Sequence, residues 1–254
     1  MPELIPLYKN LGETPLETIT RHKESHPEYK DIPMTYLGRL DPAAEGLLLV
    51  LAGNTRDKEK YLSWDKTYEF EVLWQFETDT YDILGRIIKF DTNFIKLNLH
   101  RNDALNKFDS LLSKVQKIIK LPYPAYSSRT VLGKPLFMWA RENKIEEVDI
   151  PEKRIKIFRV EHVHTRNISG EEILSEVERK IALVRGDFRQ EEILKDWRNT
   201  LEGKEKELFL ASFFKADVSS GTYIRSLAHE MGKLLNTCAI AYSIKRTRVG
   251  EYKL

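Results

Sequence analysis

Gly38 to Gly53, "GRLDPAAEGLLLVLAG", is the stretch whose reading decides the fold. Its second half, Leu47 to Ala52, carries no charge and has the length and composition of a strand buried in a sheet. Its first half carries one acid, Asp41, between Leu40 and Pro42, into the mouth of that apolar run. Asp and Pro both favour turns, so a turn ahead of a buried strand explains the acid. An active-site carboxylate explains it as well. A carboxylate left without a partner beside such a run would tend to take up a proton, so the catalytic reading requires a cation elsewhere in the chain.

The 254 residues suffice for one large domain or two small ones with a sizeable core. Charged residues make up 31% and hydrophobic residues 41%, a globular rather than a disordered balance. No stretch approaches about 18 uninterrupted apolar residues, and "MPELIPLYKN" lacks a signal-peptide layout. The expectation is a cytoplasmic protein, monomeric and without membrane contact. A single cysteine, Cys238, excludes an intrachain disulfide and a cysteine-rich zinc site. His162 and His164 fall at strand spacing and would share a face, but no third ligand lies nearby, so no metal is expected. Phosphate-binding loops, GxGxxG and HExxH patterns are absent from the sequence, and no cofactor is expected. The net charge of +2 is unevenly spread: Glu142 to Leu210 holds 14 basic and 17 acidic residues, which leaves 27 basic and 22 acidic elsewhere. That surplus, visible in "SIKRTRVGEYK", permits a polyanionic partner.

Several elements announce themselves. In "ETPLETITRHKE", Thr14 can cap a helix, Pro15 suits its first position and Glu17 completes a capping box. "KTYEFEVLWQF", Lys66 to Phe76, is aromatic and β-branched enough for a strand, with imperfect alternation, and "GRIIKF" can pair with it across "TDTYDILG". Leu105, Phe108, Leu111, Leu112, Val115 and Ile119 mark an amphipathic helix between Asn102 and Ile119. "IKIFRVEHVHTR" alternates as a strand, and Ser169 to Trp197 reads as charged helix broken at Gly186. "KELFLASFFKADV" is a further strand, leading through "SSG" into a helix with Ile224, Leu227, Ala228, Met231 and Leu235 on one face, and "AIAYSIKRTRV" closes as a strand. Without a βαβ rhythm, these elements predict an α+β fold with a mixed, largely antiparallel sheet flanked by helices.

Four stretches have ordinary explanations when taken singly. Asp41 with Pro42 starts a turn, Asp79 and Asp82 in "TDTYD" sit between strands, "YPAYSS" is a stiff loop, and "SSGTYIR" is a strand-to-helix junction. Together and in this order, "GRLDPAAEGLLLVLAG", "KTYEFEV" with "TDTYDILG", "PYPAYSSRTVLGKPLFMWAR" and "VSSGTYIRSLAHEMGKLL" resemble the TruB family of tRNA pseudouridine synthases, from Lys9 to Gly250. The resemblance implies the pseudouridine-synthase fold and isomerisation of a uridine in the T-arm of tRNA, with no cofactor. By it, Asp41 matches the catalytic aspartate, Tyr68 the tyrosine that stacks on the target base, and Arg225 the arginine that pairs with the aspartate. The chemistry agrees: breaking and remaking a glycosidic bond calls for a carboxylate that attacks or stabilises positive charge, and a guanidinium would keep it ionised. A base stacked in RNA has to be extruded onto an aromatic face. Tyr36, Arg39, Tyr126, Ser127, Arg129, Ser220, Thr222, Lys245 and Arg246 are the expected RNA contacts, the "SSGT" amides at a helix N-terminus among the phosphate holders.

Departures accompany the matches. Where the family usually reads Gly-His-Thr-Gly, this chain has Thr35, Tyr36, Leu37 and Gly38, and Thr130 stands where a lysine is expected after "YSS". The reading is one catalytic domain over residues 1–254, without a C-terminal PUA domain, whose loss should weaken RNA affinity. It carries a charged, mostly helical insertion at about 168–206, either a surface ornament or a compensating contact. "GRLD" followed by "GLLL" also resembles ribosomal-RNA pseudouridine synthases of the RluA and RsuA types, which lack "YSS" and "GTYIR" in this form. An inactive RNA-binding or RNA-folding module is the third reading, although a pure binder needs none of Asp41, Tyr68 and Arg225.

Overall fold

An apolar run of this kind belongs inside a sheet, and β3 (Ala44–Ala52) is buried along its whole length except at Glu45. Leu47, Leu49 and Leu51 face one side with Leu37 and Val249, while Leu48 and Val50 face the other with Ile19. The computed structural model describes residues 3–92 and 101–254, with the backbone alone for 101–107. Among them, the main sheet runs β1–β3–β13–β4–β12–β11, formed by β1 (Glu3–Lys9), β3, β13 (Ala239–Val249), β4 (Lys66–Trp74), β12 (Leu208–Val218) and β11 (Ile157–Ser169). Short β2 (Met34–Tyr36) pairs with β3, and β14 (Tyr252–Lys253) pairs with β13. Every pairing is antiparallel except β3–β13, so the expected mixed, largely antiparallel α+β sheet is present.

Two apolar layers sandwich the sheet. On one face, Phe70, Val72 and Trp74 of β4 pack with Phe214 against α3 (Arg101–Val115) and α7 (Ile224–Leu234), which supply Phe108, Leu111, Val115, Leu227 and Met231. On the other, Leu73, Phe209 and Ile240 pack against α5 (Gly170–Leu183) and α6 (Gln190–Leu201), with Trp197 fully buried. Each fully buried Leu, Phe or Met contributes about 1.5–3 kcal/mol of transfer free energy, so both layers are needed to hold the sheet. The imperfect alternation of β4 reflects this two-sided covering. The charged segment therefore has an apolar inner face seated on the sheet and wears most of its charge outward, with Lys180 buried against the Tyr242 carbonyl.

The helix start at Thr14 has the expected form in α1 (Pro15–Ser25): Thr14 and Glu17 make a reciprocal capping box. Ser169 and Glu172 do the same for α5, and Gly186, at φ +84°, lies in the break between α5 and α6. The strand beginning at Lys66 stops at Trp74 and resumes as β5 (Phe76–Thr78), because Gln75 adopts a left-handed φ of 78°, and β5 rather than β4 pairs with β6 (Ile87–Phe90). α3 is shorter than its apolar pattern predicts. It ends at Val115, leaving Ile119 71% exposed beyond it, and the Leu105 side chain lies outside the described residues. The shared histidine face is also corrected. A bulge between His162 and His164 pairs them with the successive residues Phe214 and Phe213, so one ring stacks on Phe108 and the other on Phe213, across the sheet.

Shorter elements lie outside the main sheet. α2 (Glu59–Leu62) precedes β4; β7 (Lys120–Pro122) pairs with β10 (Glu152–Arg154); and β8 (Thr130–Val131) and β9 (Lys134–Pro135) form a hairpin leading into α4 (Leu136–Arg141).

Candidate active site

Asp41 sits in a tight turn, closed by the Ala44 amide donating to the Asp41 carbonyl at 2.9 Å, with Pro42 at the position whose fixed φ suits it. Two buried cations hold this turn through its backbone. The Arg246 guanidinium donates to the carbonyls of Leu47 (2.8 Å), Arg39 (2.9 Å) and Gly38 (3.3 Å), and Lys9 Nζ donates to the Ala44 carbonyl at 2.6 Å. Burial pushes the Lys9 amine down to about 8. The parallel contact with β13 brings Arg246 opposite Gly46, where a Cβ would stand 2.4 Å from the Arg246 carbonyl oxygen. Gly46 has φ +110°, so glycine is required there by space and by conformation.

The required cation is Arg225, in the first turn of α7. Its Nε donates to Asp41 Oδ2 at 2.8 Å and lies 3.5 Å from Asp82 Oδ2; Nη1 donates to the Thr80 carbonyl at 2.7 Å and Nη2 to the Tyr126 carbonyl at 3.3 Å. The Arg225 side chain is 3% exposed and that of Asp41 35%, so the pair presents its carboxylate outward from a buried base. Burial disfavours the guanidinium charge, but Asp41 and Asp82 outweigh it and raise the pKa of Arg225 above its ordinary value. Asp82 is held by the Thr80 hydroxyl at 2.7 Å and the Leu84 amide at 3.0 Å; burial raises its carboxyl above the usual carboxylate range against the pull of Arg225. Tyr223 is pushed up to about 12 by burial and by the nearby Asp41.

Two cavities meet at this pair. One, of about 220 Å³, is walled by Tyr68, Lys66, Ser220 and Arg246. The other, of about 480 Å³, is walled by Tyr36, Tyr126, Phe137, Arg141, Phe188 and Arg189. Arg39, Leu40, Asp41, Tyr223 and Arg225 line both. A carboxylate hydrogen-bonded to a buried guanidinium, at the junction of an aromatic-walled pocket and an arginine-lined groove, is equipped to react with a flat group attached to a polyanion.

Of the expected site residues, Asp41, Tyr68 and Arg225 are brought together. Tyr36 and Arg39 flank the groove, the Arg39 guanidinium 5.9 Å from the Tyr36 ring centre. Tyr126 and the buried Ser127 line the groove, while Arg129 is exposed over the Tyr123 ring, outside both cavities. Ser220 lines the smaller cavity, its hydroxyl donating to the Leu62 carbonyl and accepting from Lys66 Nζ at 3.0 Å. Thr222 is buried, its hydroxyl donating to the Ser219 carbonyl at 2.9 Å, and Lys245 lies over Tyr8, away from the cavities. Arg246 corrects its expectation: it is 1% exposed, and its N–H groups are directed at main-chain carbonyls, so it anchors the Asp41 turn from within. The "SSGT" segment turns on itself, the Thr222 amide donating to the Ser219 carbonyl at 3.3 Å, and α7 starts only at Ile224. Sequence reasoning passed over Lys9, Thr80, Tyr223, Phe188 and Arg189 and gave Asp82 only a turn role; the acid-rich "TDTYD" was the one available signal.

The pattern defining the TruB family pseudouridylate synthase N-terminal domain matches residues 30–183. A tRNA pseudouridine synthase B from Malacoplasma penetrans is 30% identical over 226 residues, covering 86% of this chain and 74% of the relative. The Aquifex aeolicus protein of the same description is 28% identical over 245 residues, 96% of this chain and 67% of that one. Among solved structures, a chain in the crystal structure of a Cbf5-Nop10-Gar1 complex superposes with a TM-score of 0.56 at 18% identity, over 98% of this chain and about half (49%) of that one; the likeness is one of fold.

Proposed function

Because the chain belongs to the TruB family of pseudouridylate synthases, we propose that it isomerises a uridine of tRNA to pseudouridine, in the T-arm, with Asp41 as the reacting carboxylate. The observation that carries this reading is the Asp41 carboxylate, 2.8 Å from the buried Arg225, at the mouth of the cavity walled by Tyr68. In the reaction the C1′–N1 bond breaks, a C1′–C5 bond forms, C5 loses a proton and N1 gains one. No atom is gained or lost, so the balance requires no cofactor.

Whether a carboxylate attacks the sugar, attacks the base or assists an elimination, it acts through its oxygens, and Arg225 Nε binds one of them, Oδ2, at 2.8 Å. Holding the aspartate through Nε while two further nitrogens bind backbone carbonyls also fixes its direction. The detached base has to turn so that C5 faces the sugar. A pocket of about 220 Å³ with a flat aromatic wall at Tyr68 gives the base a surface to stay stacked on while it rotates. Extrusion from the RNA stack precedes this, and the exposed Arg39 and Arg129 supply cations for the surrounding phosphates.

Among the described residues no helix is long and apolar enough to cross a membrane. The reading takes the enzyme to act on tRNA as a cytoplasmic monomer. Asp41→Asn is expected to abolish pseudouridine formation on a T-arm hairpin while hairpin binding stays within a few-fold. A normal rate in this variant would remove the carboxylate from the reaction. Pseudouridine mapping in cells lacking the gene should show the loss in tRNA, and loss in ribosomal RNA instead would overturn the assignment of substrate.

A further inference from the structure

The loop between α5 and α6 does not trail into solvent; it closes one wall of the larger cavity. Arg141 Nη2 donates to the Asp187 carbonyl at 2.6 Å, and the Phe188 amide donates to Gln190 Oε1 at 2.9 Å. Gln190 Nε2 in turn donates to the Gly186 carbonyl at 2.6 Å. Arg189 adopts a left-handed φ of 60°, an uncommon conformation for a side chain of its kind. In that conformation its guanidinium reaches Asp79, with Nη1 2.5 Å from Oδ2, and lies 4.2 Å from the Tyr126 ring centre. Arg189 thus ties the loop both to the segment carrying Thr80 and Asp82 and to the residue whose carbonyl receives Arg225.

Phe188 is left 37% exposed by this arrangement, with the Arg141 guanidinium 6.0 Å from its ring centre. A lone exposed phenylalanine is ordinary. One held in place by a hydrogen-bonded loop, in the wall of a groove continuous with Asp41, is not explained by packing. We infer that Phe188 is a stacking platform for the base of a nucleotide adjoining the target uridine, and that Arg189 is the positioning residue that sets the loop against the groove. This deepens the proposed function and rests on it. The occupant follows from continuity and charge. With the target base in the Tyr68 pocket, the attached chain has to leave past Asp41, and the larger cavity opens there with Arg39 and Arg141 in its wall. Base–aromatic stacking tolerates any base, so Phe188 would add affinity and register at one position rather than read a sequence.

The test combines a side-chain deletion with a base deletion. On a T-arm hairpin, Phe188→Ala should lower kcat/KM about ten-fold, within the range for loss of one base–aromatic stack, mainly through KM. Phe188→Trp should restore it, and thermal melting should be unchanged. Hairpins with an abasic residue at each flanking position are then compared. At one position the wild-type enzyme should fall to the rate of the variant, and Phe188→Ala should cause no further loss. An unchanged kcat/KM for Phe188→Ala, or losses that multiply at every flanking position, would overturn the inference while leaving the proposed reaction standing. If wild-type enzyme binds the hairpin and forms no pseudouridine, the proposed function fails first and the platform with it.

Discussion

The two walls that meet at Asp41 are built on different principles. On the β-sheet side, the Asp41 turn is held by buried cations on main-chain carbonyls: Arg246 on Gly38, Arg39 and Leu47, and Lys9 on Ala44. On the groove side, the α5–α6 loop is held by partly exposed side-chain contacts, chiefly Arg189 with Asp79 and Tyr126, each ion-pair partner about one-fifth exposed. Main-chain clamps fix geometry whatever the neighbouring side chains are, and desolvated donors cannot be exchanged for water. Side-chain pairs near the surface can be rebuilt at little cost. The Asp41 carboxylate is therefore rigidly set, while the opposite wall can be tuned.

Arg225 gives the largest expected effect, because its guanidinium donates to Asp41 on one wall and to the Tyr126 carbonyl on the other. Arg225→Lys keeps a charge but loses the geometry that reaches Asp41, Thr80 and Tyr126 together. The expected loss in kcat is about a hundred-fold or more, the scale seen when a preorganised charge partner is removed. Pseudouridine formation in the hairpin, followed over multiple turnovers, measures it. A lysine variant with full activity would show that charge alone suffices and that the rigid wall is not needed.

Arg246→Met comes next and attacks the rigid wall directly. It strands the three carbonyls of Gly38, Arg39 and Leu47 in a buried site, for an expected destabilisation of about 3 kcal/mol in urea unfolding. Because the turn carrying Asp41 is what those bonds fix, kcat should fall more than hairpin affinity. If affinity fell instead with kcat unchanged, Arg246 would contact RNA after all.

Why the reacting side was so much more legible in the sequence follows from the same contrast. The Asp41 turn, the buried β3 and the apolar face of α7 are local patterns: a Pro-fixed turn, an apolar run, one-sided apolar spacing. Thr14 with Glu17, the break at Gly186 and the limits of β13 were legible for the same reason. Arg246 was misread because a basic run suggests a surface, whereas burial of one member depends on carbonyls about 200 residues away in sequence. The histidine face failed because a bulge has no signature in an alternating strand. Phe188 and Arg189 sit in a charged stretch that looks like solvated surface, and only the folded chain shows that Asp79 and Tyr126 receive Arg189 and that Arg141 lies by Phe188.

The ionisation state of Lys9 gives a smaller effect, readable as a slope. Its folded value of about 8 lies below the ordinary 10.5, so between these values the native state binds fewer protons than the unfolded state. Stability should therefore rise with pH in that window, and Lys66, also lowered to about 8 by burial, acts in the same direction. Cys238, raised to about 11, and Tyr223, raised to about 12, hold protons longer in the folded state and oppose the trend above about pH 9. The rise is thus expected between pH 8 and 9. Lys9→Met should flatten it by up to about 1 kcal/mol per pH unit, whatever its effect on stability at a single pH. Parallel slopes for the two proteins in urea titrations would mean that Lys9 stays charged under its carbonyls.

The smallest effect tests whether the groove wall is as replaceable as its construction implies. Arg189→Ala, Asp79→Ala and the double variant form a cycle whose coupling in unfolding free energy should stay at or below about 1 kcal/mol, since solvent screens a pair of this exposure. Coupling in kcat/KM should nevertheless be detectable, because Arg189 also fixes the loop over Tyr126, and the Tyr126 carbonyl is one of the acceptors holding Arg225. A stability coupling of several kcal/mol would place both walls in the same rigid class and break the contrast. Stability and kcat/KM both without coupling would show that the α5–α6 loop touches the site without acting on it.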